Sequence, residues 1–317
     1  MLALGACGAT HTSPERAAAA GDPGTIAPPV TRGAAEVAPH GMLTARDARR
    51  YMVKLINRDR ASMGVGSVVF DEGAPTAAGQ EHAEDMASHG YLGHWGTDGS
   101  VPEERYTRQG GADMVLENAS SITDERARTL DRDPRIDPRE VEKTESMFFN
   151  ETPPNDGHRK NILKFFHTRV GIGVAQPLGT ALEVAVPCFT QEFVDAYGTY
   201  ATLPSHMHVG DTLRIAGTLK APAQIVGVGL ARIGTPHPLA VAEVNRRRSY
   251  PIPPPYQMYW PPGFVTPIPL DVNGNEFSIS VPVSDGGHGG LYEVSVWAKM
   301  PGAPDDVMVS LRTLRVQ

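Results

Sequence analysis

The sequence predicts an α/β sandwich followed by an all-β sandwich of immunoglobulin-like type. Between residues 43 and 198, segments with the apolar period of helices alternate with short β-branched runs. From about residue 205 the apolar period falls to two, with turn signals between the runs. Residues 8–42 differ from both, being rich in Ala, Pro, Gly, Thr and Ser with few large apolar side chains. Such a segment cannot bury enough surface to offset its ordering entropy and reads as a flexible tether.

The elements follow in order. Ala48, Tyr51, Met52, Leu55 and Ile56 lie on one helical face, with Thr44 as cap and Asp47 at the third position. Val68-Val69-Phe70 reads as a short strand, Pro75–His89 as a second helix, and the loop after it carries His94. Asp137-Pro138-Arg139-Glu140 has the cap, proline and returning glutamate of a helix start. That helix must stop near Glu151, because Pro153 restricts Thr152 and Pro154 follows. A short helix restarts at His158, capped by Asn155 or Asp156, and strands near Val170–Val174 and Leu182–Phe189 close the first part. In the second part Leu213 and Ile215, Phe277 to Val281, Tyr292 to Val296 and Val307 to Leu311 alternate with polar residues. Asn273-Gly274 and the Gly286–Gly290 cluster separate them, giving about seven strands and no helical period.

The totals narrow the function. The chain has 317 residues, enough for about two domains, and its 40% hydrophobic and 21% charged content is globular. Net charge is −7 and the longest basic run is Arg246-Arg247-Arg248, so there is no nucleic-acid footprint. No stretch has the continuous apolar length of a membrane span. Two cysteines, Cys7 and Cys188, give no disulfide framework, and Cys188 reads as a buried, inert thiol. Leu4-Gly5-Ala6-Cys7 resembles the lipobox of bacterial lipoproteins, which implies lipidation of Cys7 and a membrane association through that anchor alone. Only six residues precede Cys7 and none is basic, so either the start lies further upstream or the match is chance.

The segment from Ala45 to about Gly198 resembles the CAP superfamily (cysteine-rich secretory proteins, antigen 5 and pathogenesis-related 1 proteins), with the bacterial SCP-like branch closest. Five pieces in the family's order carry the resemblance: LINRDRASMGVGSVVFD, GQEHAEDMASHGYLGHWGTDG, LENAS, FFNE, and GHRKNIL with VGIGVA after it. The resemblance implies an α-β-α sandwich with a polar cleft holding two His and two Glu. Matched piece by piece, these are His94, Glu117, Glu151 and His158. Leu116 stands where the family has Gly, and Phe148 where it has Trp; the eukaryotic disulfides are absent.

The organisation expected from these readings is a signal remnant over 1–7, a tether over 8–42, a CAP domain over 43–198 and a β-sandwich over 205–317. The expected protein is exported, anchored in the bacterial envelope or secreted. Its His/Glu cleft is expected to recognise zinc or another divalent cation, a lipid or sterol-like ligand, or an envelope protein. The alternative is a metal-dependent hydrolase, in which His94 and His158 ligate the ion with one glutamate and Glu117 or Glu151 acts as base. A plain hydrogen-bond network among the four residues is the reading without function. Ser120 and Ser121, considered as nucleophiles, read as polar loop or cap residues. His82 is expected to be exposed or partly buried, and His89 and His167 to lie at the surface. The loop 250–264, with Tyr256, Tyr259 and Trp260, is expected to fold over the sandwich edge with its aromatics half buried.

Overall fold

The computed structural model describes residues 4–8, 39–180, 185–247 and 249–317. Its first elements are β1 (Leu4–Gly8), β2 (Leu43–Thr44), α1 (Ala45–Ser62), β3 (Val69–Phe70), α2 (Ala74–His89), α3 (Pro102–Arg108), β4 (Met114–Ile122) and β5 (Arg135–Ile136). They continue with α4 (Pro138–Phe149), α5 (Gly157–Ile162), β6 (Arg169–Ala175) and β7 (Cys188–Asp195). Five of these strands form one sheet in the order β1-β4-β7-β6-β3.

Helices cover the sheet on both sides. α1 and α4 bury Met52, Ile56, Val141 and Phe148 against Val170, Ile172, Val174, Phe189 and Phe193. On the other face α2 and α3 bring Ala78 and Tyr106 to Val115 and Val194. Strand alternation explains how one strand serves both layers. Val170, Ile172 and Val174 face α1, whereas Gly171 and Gly173 let α2 approach the backbone: a Cβ on Gly173 would stand 2.2 Å from the Gly79 carbonyl oxygen.

The caps of α1 and α4 are those expected, whereas Asp156 precedes α5 without a side-chain cap bond. Thr44 accepts a hydrogen bond from the Asp47 amide, and Asp137 accepts one from the Arg139 amide, the latter in place of a Glu140 return. The last strand of this part begins at Cys188, whereas the sequence placed it over Leu182–Phe189; Leu182 lies outside the described residues. α3 and β4 were not anticipated. The tether lies outside the described residues over 9–38, and Cys7 occupies β1, where its backbone pairs opposite Ala119 of β4.

The second part holds β8 (Gly198–Tyr200), β9 (His206–Met207), β10 (Thr212–Leu219), β11 (Gln224–Ile233), α6 (Val241–Arg246), β12 (Gln257–Tyr259), β13 (Asp271–Asn273), β14 (Glu276–Pro282), β15 (Gly290–Lys299) and β16 (Val307–Val316). The strands form two sheets, β13-β14-β10-β8 and β12-β11-β15-β16-β9, around a core that includes Leu213, Ile215, Val228, Phe277, Val281, Val294 and Val309. This is the expected β-sandwich, with two departures. α6 interrupts it, and β9 pairs with β16 in parallel. In the loop 250–264, Tyr250 and Tyr259 are buried, Trp260 is half-buried and Tyr256 is exposed at the edge.

Candidate functional site

The four matched residues form two His–Glu pairs. His94, in the loop after α2, donates from Nδ1 to Glu117 Oε1 at 2.8 Å, and both side chains are fully buried. Glu117 is presented by β4, from the sheet face covered by α2 and α3. His158, at the start of α5, donates from Nδ1 to Glu151 Oε1 at 2.5 Å. Glu151 Oε2 accepts from the His158 amide at 2.8 Å, so this carboxylate also caps the N-terminus of α5. A carboxylate on Nδ1 fixes the tautomer and the ring plane, leaving Nε2 the lone-pair nitrogen of a neutral ring. Nε2 of His158 is buried with no hydrogen-bond partner among the described residues.

The two residues that depart from the family pattern have clear tasks. Phe148 stacks on the His158 ring, with centroids 4.6 Å apart and planes at 17°. Leu116 is buried against Met308 and Leu311 of β16, where a glycine would leave the second part without that contact.

Three further residues around Glu117 escaped the sequence reading. Arg105 of α3 donates to Glu117 Oε2 at 2.8 Å, to the His94 carbonyl at 3.0 Å and to the Ser100 carbonyl at 3.1 Å. It pins the loop and the carboxylate together. His82 of α2 is buried, not exposed: Nε2 donates to the Gly93 carbonyl at 2.7 Å and lies 3.6 Å from Glu117 Oε1. Burial, with the Arg105 charge, pulls its pKa down to about 4, so it stays neutral. Glu192 of β7 is pushed far above the carboxylate range by burial and by the Glu117 charge, and its proton bonds Glu117. Burial alone would raise Glu117 as well; the Arg105 charge and the His94 hydrogen bond outweigh it and hold this carboxyl below its usual range. Pro102 at the first turn and two following glutamates were the signal that could have exposed α3, and with it Arg105.

The opposite face of β4 carries an amide chain. Asn118 donates from Nδ2 to Gln191 Oε1 at 2.9 Å and to the His158 carbonyl at 3.3 Å. Gln191 donates to Glu145 at 2.6 Å, and Asn161 donates to Asn118 Oδ1 at 2.9 Å. His167 continues the chain, 3.0 Å from Asn161 Oδ1 and 2.6 Å from Asp195 Oδ1. It is buried, whereas the sequence reading put it at the surface, because the turn after α5 folds it under Phe193. His89 is partly buried beside Asp85. Ser120 and Ser121 are buried in β4, and Ser121 Oγ lies 3.1 Å from Cys188 Sγ. Burial raises Cys188 to about 11, so its thiol is inert at neutral pH.

A metal ion at either pair would need donor atoms. Both oxygens of Glu117 are committed, to His94 and Arg105, and both oxygens of Glu151 to His158. Among the described residues no group of three or more His, Cys, Asp or Glu side chains is placed to hold a metal ion. With both carboxylates committed, the four residues offer fewer than the three protein ligands of a hydrolytic zinc site. The residues do not fit such a site, and no reaction step follows from one.

Residues 53–178 match the model of the CAP family, described as the cysteine-rich secretory protein family. The matched segment contains His94, Glu117, Glu151 and His158. No curated protein matches the chain. The chain carries a CAP domain of the cysteine-rich secretory protein family, joined to a C-terminal β-sandwich.

Proposed function

We propose that the chain is an exported binding module of the bacterial cell envelope, whose two His–Glu pairs recognise a divalent cation, a lipid or sterol-like molecule, or an envelope protein. The observation that supports it is that each imidazole is oriented through Nδ1 by a buried or partly buried carboxylate. Orienting two buried rings in this way costs desolvation that a purely structural core could avoid with apolar residues. Recognition is favoured over hydrolysis because each carboxylate is already bonded through both oxygens. The envelope location rests on the lipobox resemblance at Cys7. No helix of the described residues is long and apolar enough to cross a membrane, so a lipid anchor is the membrane link proposed.

Calorimetric titration of zinc into the full chain, beside a His94→Ala/His158→Ala variant, separates the branches. One-to-one binding that the variant loses is the expected outcome for a cation site. Absence of heat in the parent removes the metal branch, and the same pair of proteins is then compared for retention of liposome-extracted lipid.

A further inference from the structure

The junction between the CAP segment and the β-sandwich holds a cleft of about 540 Å³ that is lined by none of the four matched residues. Its walls come from α3 and the turn after it, from residues 200–206 and from β16. Arg312 of β16 lies in this wall and is 2% exposed. Nη1 donates to the Ala201 carbonyl at 2.6 Å, and the guanidinium sits over the Tyr200 ring at 5.0 Å. Nε and Nη2 find no acceptor among the described residues.

That edge of the guanidinium is the one the molecule uses elsewhere to grip carboxylates. Arg46 holds Glu72, Arg58 holds Asp59 and Arg139 holds Asp137, each through Nε and Nη2 together. A buried fork without an acceptor is costly, and an incoming oxyanion would satisfy it. Burial already weakens the charged form of Arg312, to about 10. Asp113 adds to the field there, but burial pushes its carboxyl up to about 7 and it does not bond the open edge.

The other groups in the cleft narrow the ligand. Arg315 is bonded to Glu104 Oε1, and Arg108 to Glu81, so their charges are compensated. One further cation suits a monoanion better than a doubly charged phosphate. Glu104 Oε2 is buried without a hydrogen-bond partner among the described residues and can accept from a ligand hydroxyl. Thr202, Ser205 and Thr313 add hydroxyls along the wall. We propose that this junction cleft binds a small hydroxylated carboxylate of the sugar-acid class, with the carboxylate on the Nε–Nη2 edge of Arg312 and a ligand hydroxyl on Glu104.

The test is calorimetry on the full chain with glucuronate, glucose and inorganic phosphate as probes. The expected result is saturable one-to-one binding of glucuronate, with glucose and phosphate each at least tenfold weaker. Arg312→Gln should weaken glucuronate at least tenfold. Because that residue is buried, Thr202→Trp, at an exposed wall position, serves as a second variant that fills the cleft without disturbing the core. Arg46→Gln, which removes an exposed guanidinium away from the cleft, should bind glucuronate as the parent does. No saturable binding, phosphate binding as tight as glucuronate, or binding untouched by Thr202→Trp would each overturn the proposal.

Discussion

Glu145 ends the amide chain beneath β4, and its environment makes it a sensitive residue. Burial pushes its carboxyl up to about 8, against which the Gln191 hydrogen bond acts only partly. The folded state therefore keeps a proton that the unfolded chain, with an ordinary carboxyl near 4.5, has lost. Stability from this group is fully present below pH 4.5 and declines as pH rises through 8, by roughly 1.4 kcal/mol per pH unit in that window. Glu145→Gln keeps the shape and removes the titration. Urea denaturation at pH 5 and pH 8 should show the variant close to the parent at the lower pH and more stable at the higher one. Equal differences at both pH values would refute the buried-acid account. Arg105 poses the complementary case. Removing it as Arg105→Gln leaves Glu117 without its main cation, at a cost of about 3–5 kcal/mol. The double variant Arg105→Gln/Glu117→Gln should recover part of that loss in the same denaturation series, because no buried charge then lacks a partner.

At the level of elements, the contact of α2 with β6 and β7 depends on three glycines. A Cβ on Gly171 would come within 2.3 Å of the Pro75–Thr76 backbone, and one on Gly79 within 2.4 Å of Thr190 Oγ1. Gly173→Ala meets backbone rather than a movable side chain, so it should cost more than the usual 1–3 kcal/mol of overpacking and lower the thermal midpoint clearly. These glycines also show how far the sequence could be read. α1, α4 and the β-sandwich strands carry wide apolar stripes of one period, and their positions were legible. The four CAP positions were legible through the order of their motifs. β4 was not, because it is buried on both faces and its MVLENASSI mixes apolar and polar residues without alternation. The polar residues of β4 are satisfied by partners distant in sequence, Arg105, Gln191 and Asn161, which no local pattern announces. His82 was misjudged for a related reason. α2 packs against the sheet through small residues, so its buried face has no large apolar stripe to mark it.

Across the whole molecule, a buried acid cluster joins the two halves. Tyr250 of the proline-rich loop donates to Glu103 of α3 and lies 3.5 Å from Glu293 of β15. Burial pushes both carboxyls above their ordinary range, with their mutual repulsion adding at Glu293. Protonated carboxyls sit comfortably in this seam; ionised ones do not. Stability from the cluster is present at acidic pH and lost as pH rises through the raised pKa values. Glu293→Gln should flatten the fall of the calorimetric thermal midpoint between pH 5 and pH 8, and an unchanged slope would show that the seam does not titrate.

The same seam has a practical consequence for anyone cutting the chain. Met114 and Leu116 of the CAP sheet are buried by Met308 and Leu311, and Ser310 donates to the Ala112 carbonyl at 2.6 Å. A fragment ending near residue 198 would bring a greasy strand face and the acids Glu103 and Glu104 into water together. Such a fragment should sediment as aggregates where the intact chain does not, and the smallest unit fit for ligand screening is the pair of halves.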